Sequence, residues 1–95
     1  MINYPTGPVA AEITRRLTAA LDPAHLAVSD DSAQHAGHAG HDARGESHFT
    51  VEIVSAAFEG QSRVARQRAV NAALSDLLAE RIHALAIKAT APSER

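Results

Sequence analysis

Apolar positions along the chain change their period several times, and each change marks an element. From Val9 the spacing is helical. Val9, Ile13, Leu17, Ala20 and Leu21 fall on one face, with Glu12, Arg15 and Arg16 around the rest. Gly7-Pro8 begins this helix, because proline at the first helical position gives up an N–H that would be unpaired anyway. Asp22-Pro23 ends it, since a residue before proline is pushed out of the α region. His25 to Asp30 reads as a short strand, with Leu26 and Val28 on one face. Ser47 to Ser55 shows the clearest alternation: Phe49, Val51 and Ile53 against His48, Thr50 and Glu52. Ala56 to Gly60 turns the chain, and Ser62 caps a second helix. Val70, Ala73, Leu74, Leu77 and Leu78 give that helix a buried stripe reaching about Arg81. His83 to Thr90 is a third strand, with Leu85 and Ile87 inward and Lys88 outward.

The order α-β-β-α-β predicts an α+β domain. The strand–helix–strand unit over 47–90 is a right-handed crossover, so its two strands run parallel. The first two strands are expected to be antiparallel neighbours. Together they make a three-stranded mixed sheet with the helices on one face. The other face is left bare and carries Thr50, Glu52, Ala84, Ala86 and Lys88. Residues 1–7 are read as a flexible N-terminal arm, 8–90 as the single domain, and 91–95 as a frayed C-terminal tail.

Between the first two strands the apolar period disappears. The stretch DDSAQHAGHAGHDARGESHF, with its His-rich loop at 31–46, holds His35, His38, His41 and His48. Long loops in small domains are usually functional or disordered. His35, His38 and His41 stand three residues apart, and imidazole suits Zn, Cu, Ni and Fe. A short His-rich tract is a compositional sign of metal binding, weighed equally here with an ordinary polar loop. His48 lies on the polar side of its strand and reads as a half-exposed strand residue. His83 shares the parity of Leu85 and Ile87; such a residue is ordinarily a satisfied histidine at the edge of a core. The scarcity of other ligand types brings it forward as a partner for the loop. Gly37-His38-Ala39-Gly40 has the GxxG form of nucleotide-clamping loops, but it joins two strands and is read as chance.

Composition narrows the functional classes. The chain has 95 residues, enough for one domain with a thin core. Its aromatic residues are Tyr4, Phe49 and Phe58, so the core is built from Val, Ile, Leu and Ala. A net charge of −2 opposes binding driven by a phosphate backbone. The absence of cysteine excludes disulfides and any thiolate ligand of its own, and fits a reducing compartment. Neither a signal peptide nor an apolar run of about 20 residues is visible, so a soluble cytoplasmic protein with no membrane partner is expected. Arg63, Arg66 and Arg68 sit in the first turns of the second helix, where positive charge opposes the helix dipole. They read as a solvated basic face or, with Lys88, as a patch for an anionic partner. No catalytic set is found. Ser47 and His48, for example, are adjacent in a strand and point to opposite faces. An enzyme is the least favoured class.

Four blocks in order, DDS-x-x-HAGHAG, GESHFTVEIVS, FEGQSRVARQR and HALAIKA, resemble the BolA family from about Ala10 to Pro92. The resemblance implies a class II KH-like fold, in agreement with the element order. It also implies a non-catalytic iron–sulfur adaptor or regulator in iron homeostasis. Such proteins bind a monothiol glutaredoxin and co-ligate a bridging 2Fe–2S cluster with it. Glutaredoxin and glutathione supply the thiolates. The BolA-like partner supplies a histidine at the start of the last strand, here His83, and a Cys or His from the loop, here His35 with His38 second. A chain without cysteine holds no such cluster tightly by itself, and replacing thiolates with histidine raises the cluster's potential. The isolated chain is expected to be a monomer or a weak homodimer. One departure stands out: the family commonly has Arg-His-Arg in the second helix, and this chain has Arg66-Gln67-Arg68. The alternative is a KH-like transcriptional regulator that binds DNA through Arg63, Arg66, Arg68 and Lys88. A third reading is a free-standing Zn or Cu buffer using the His loop.

Overall fold

The expected order of elements is present, with one additional helix. The structure, a computed structural model, describes residues 7–31 and 48–94. Helix α1 (Pro8–Leu21) has Pro8 in its first turn behind an extended Gly7. It stops at Asp22, whose φ of 44° and ψ of 59° are left-handed and whose N–H returns to the Thr18 carbonyl. Aspartate tolerates that conformation better than most residues, and Pro23 forbids further helix. The buried face is Val9, Ala10, Ile13 and Leu17, with Leu21 half-buried. Ala20, expected on that face, is exposed. The i, i+4 row from Val9 to Leu21 sets the axis of the stripe, and Ala20 falls on its solvent flank while Ala10 takes the inner one.

Strands β1 (His25–Asp30), β2 (His48–Val54) and β3 (Ala84–Thr90) form one sheet in the order β1-β2-β3. β1 pairs antiparallel with β2, placing Leu26 opposite Ile53 and Val28 opposite Val51. β2 pairs parallel with β3, placing Phe49 opposite Leu85 and Val51 opposite Ile87. This is the mixed sheet that the crossover required. Phe49, Val51 and Ile53 are buried under Ile13 and Leu17 of α1 and Val70 of α2 (Arg63–Ala73), with Leu74 just beyond. The opposite face is open to solvent at Glu52, Ala84, Ala86 and Lys88.

Two expectations need correction. The second helix does not run unbroken to Arg81. It breaks at Leu74 (φ −112°, ψ 13°), and α3 (Ser75–Glu80) follows. Leu74 N–H tightens onto the Asn71 carbonyl at 3.2 Å, a three-residue closure. Asn71, Ser75 and Asp76 all compete for backbone groups and favour helix ends. The apolar stripe crosses the break unchanged, with Leu74 fully buried and Leu77 and Leu78 half-buried, so periodicity alone could not show it.

The C-terminal residues are not frayed through Glu94. Ala91 is fully buried, and Pro92–Glu94 form a 3-10 turn tied to α2 and to the turn after β2. That turn, Ala56–Phe58, is also 3-10. Its N-cap Ser55 accepts from Ala57 N–H and donates to the Leu21 carbonyl at 2.6 Å. Phe58 is fully buried beneath it, a core residue that its turn-like neighbours conceal in the sequence.

Candidate functional site

Because β2 and β3 are parallel, their N-terminal ends lie side by side. His48 opens β2 opposite Ala84, and His83 stands one residue before Ala84. The two imidazole rings are consequently close, with centroids 6.1 Å apart and planes tilted by 49°. His83 is exposed and His48 is half-buried. His25 does not belong to this pair. It lies opposite Val54, at the other end of β2, and its Nε2 shares a 3.0 Å hydrogen bond with Glu52 Oε1.

The same end of the sheet anchors both ends of segment 32–47. Asp31 N–H donates to the His48 carbonyl at 2.7 Å, and Thr50 Oγ1 donates to Asp31 Oδ2 at 2.5 Å. Whatever path that segment takes, it leaves and rejoins the fold beside the two rings. His35, His38 and His41 lie outside the described residues.

Among the described residues, no three of His, Asp and Glu gather into a metal site. Two imidazoles leave a tetrahedral ion with half its ligands missing. The rest would have to come from segment 32–47 or from another molecule.

The basic residues separate into different environments. Arg66 is occupied: it donates from Nη1 and Nη2 to the Glu94 carboxylate and from Nε to the Gln61 carbonyl. Arg66 and the Ala91 N–H together hold the Glu94 carboxyl down at about 2, and the pair raises the arginine in turn. Arg63 and Lys88 instead border a groove beside β3, and Arg68 is exposed on α2. Sequence spacing gave no hint of a contact between Arg66 and Glu94. It did not reveal the closeness of His48 and His83 either. Parity had placed His48 on the polar side of its strand, but the pairing follows only from the β2–β3 register. No helix among the described residues is long and apolar enough to cross a membrane.

Known proteins share both the sequence and the architecture. The family model for BolA-like protein matches residues 17–94. A Sinorhizobium sp. protein from the cobS 5′ region is 49% identical over 83 residues, covering 86% of this chain and 89% of that protein. Mouse (Mus musculus) BolA-like protein 1 is 46% identical over 88 residues. That match covers 93% of this chain but 61% of the mouse protein, so the chain spans less than two thirds of that relative. Among solved structures, the BolA domain of SufE1 from Arabidopsis thaliana superposes with a TM-score of 0.85 at 44% identity, over 95% of this chain and 99% of that domain. The matched range takes in the two parallel strands with their paired histidines and the helix that carries Arg66, and on this footing the chain belongs to the BolA-like protein family.

Proposed function

We propose that the chain is a non-catalytic iron–sulfur adaptor, supplying imidazole ligands to a 2Fe–2S cluster held jointly with a monothiol glutaredoxin and its glutathione. The reading rests on one observation above others: His83 is exposed, beside His48, where both ends of the His-rich segment are anchored. The donor set suits the task. Imidazole is an accepted ligand of 2Fe–2S iron, and a chain without cysteine must borrow its thiolates. His83 would be the fixed ligand, with His35 the favoured second and His38 next, the order that the family resemblance implies. Reliance on partner thiolates suits the reducing cytoplasm, where we place the protein. The alternative on nucleic acid is weaker, because Arg66 is committed to Glu94 and only Arg63, Arg68 and Lys88 remain against a net charge of −2.

The test is a titration of cluster-loaded monothiol glutaredoxin with the chain, followed by visible circular dichroism. The wild-type chain is expected to convert the spectrum to that of a heterocomplex at equimolar ratio. His83→Ala should leave the glutaredoxin spectrum in place. If His83→Ala converts the spectrum as the wild type does, the ligand assignment is wrong.

A further inference from the structure

β3 is an edge strand. Successive residues of a strand turn their backbone groups to opposite edges. The Thr90 carbonyl accepts from Ser55 N–H on the inner side, so Leu85, Ile87 and Ala89 face outward. The Ala89 carbonyl is covered by Arg66 Nη1 at 3.3 Å. Among the described residues, no hydrogen bond reaches the outward groups of Leu85 and Ile87 or the N–H of Ala89. Such a row of unpaired donors and acceptors is a template for another strand.

Beside this edge α2 leaves a groove of about 350 Å³, lined by Arg63, Gln67, Ile87, Lys88, Ala89 and Thr90. Its two cations flank the edge from opposite sides. Arg63 stands on α2, which covers the buried face of the sheet, and Lys88 points to the bare face. Among the described residues neither has an ion-pair partner. Glu52 stands opposite Lys88 in the register, and both line a second groove with Glu94, but their closest partners are others: Glu94 bonds Arg66 and Glu52 bonds His25.

We propose that this groove binds an extended acidic segment of a partner protein, which adds to β3 as a fourth strand and sets the carboxylates of adjacent residues on Arg63 and Lys88. Adjacency follows from the pleat, because neighbouring side chains of a strand point to opposite faces and the two cations lie on opposite faces. A second copy of the chain fits less well. β3 carries Lys88 and no acid, so edge-to-edge copies would bring like charges together. Nucleic acid also fits less well, since Phe49 and Phe58 are buried and offer no stacking surface. The proposal is independent of the iron–sulfur reading. His83 lies before the start of β3, and the groove lies along its second half.

The test is a selection of displayed random decapeptides against the full chain, followed by synthesis of the tightest binder. Selected peptides should be rich in β-branched residues and carry two adjacent acids. In 15N-labelled chain the synthetic peptide should shift the amide signals of Leu85, Ile87 and Ala89. The double variant Arg63→Glu/Lys88→Glu should bind about 10-fold more weakly or worse. Both side chains are exposed, and an unchanged melting curve would confirm that the variant folds. Replacing the two acids of the peptide with lysines should restore binding to the double variant. His83→Ala should bind the peptide as the wild type does. The proposal is overturned by a selection that yields no peptide or none with adjacent acids, by shifts confined to β1, or by binding indifferent to the double variant. It is also overturned if a single-stranded oligonucleotide, or a second copy of the chain, occupies the groove more tightly than the peptide.

Discussion

The guanidinium of Arg66 and the carboxylate of Glu94 meet fork to fork, with Nη1 donating to Oε1 at 2.5 Å and Nη2 to Oε2 at 2.8 Å. The arginine also donates to the carbonyls of Gln61 and Ala89, and its guanidinium carbon lies 6.0 Å from the centroid of the Phe58 ring. Glu94 accepts in addition from Ala91 N–H at 2.9 Å. One side chain thus joins the start of α2, the turn after β2, the edge of β3 and the C-terminal turn. A lysine could supply the charge but not the planar fork.

Arg66→Ala should therefore lower the melting temperature clearly more than Arg68→Ala. Arg68 is exposed, and its removal should leave Tm within about 3 °C of wild type, as for most surface substitutions. Arg66→Lys should fall between the two. Thermal melts followed by far-ultraviolet circular dichroism decide the matter, and equal Tm values for Arg66→Ala and Arg68→Ala would remove the clasp from the account.

The same pair makes stability depend on acid. Glu94 titrates at about 2 in the folded chain against 4.5 ordinarily, held down first by Arg66 and then by the Ala91 N–H. Glu12 is likewise held at about 2, by Arg15 and then Arg16. Between these values the unfolded chain binds more protons than the folded one, so stability rises with pH. The contribution is fully present above about 4.5 and is lost as pH falls toward 2. Urea unfolding from pH 6 down to pH 2.5 should show this loss in the wild type. Glu94→Gln should be less stable at pH 6 and lose less on acidification. An equally steep acid dependence in Glu94→Gln would contradict the assignment.

Local patterning carried most of the fold. The alternation of Phe49, Val51 and Ile53, the i, i+4 row through Ile13 and Leu17, and the crossover rule together specified the sheet order and strand directions that are observed. The break at Leu74 was hidden because the buried stripe continues through it. Phe58 was hidden because its neighbours read as a turn. The site was only partly legible. His83 stood out by type and position, whereas its contact with His48 depends on a register that no local pattern encodes. The contact between Arg66 and Glu94 is similarly a product of chain folding. Its partners are far apart in sequence, and Arg66, one turn before Val70 on the buried side of α2, reads as a charged residue of a basic cluster.

Phe58 offers a direct check on the hidden part of the core. It is fully buried although it sits in a three-residue turn. Phe58→Ala should cost about 3–5 kcal/mol, a value typical of core aromatics and not of turns. It would also remove the ring beneath Arg66. Urea denaturation with a fitted midpoint is sufficient, and a loss below about 1 kcal/mol would place Phe58 outside the core in solution.

The histidine pair separates stability from function. His83 is exposed, so His83→Ala should change unfolding free energy by no more than about 0.5 kcal/mol. Its effect on the glutaredoxin heterocomplex should be complete if His83 supplies a ligand. His48 is half-buried, and its ring lies 6.1 Å from that of His83. In the proposed arrangement it is a positioning neighbour and the second ligand comes from His35. His48→Ala should then weaken heterocomplex formation without abolishing it, while His35→Ala should abolish the visible signature and leave the melt unchanged. The informative comparison is among the three single variants at equal protein concentration, read by the same visible circular dichroism bands. If His48→Ala abolishes the signature and His35→Ala does not, the second ligand is His48 itself. The shared end of β2 and β3 would then supply both imidazoles, and His35 would have no part in ligation.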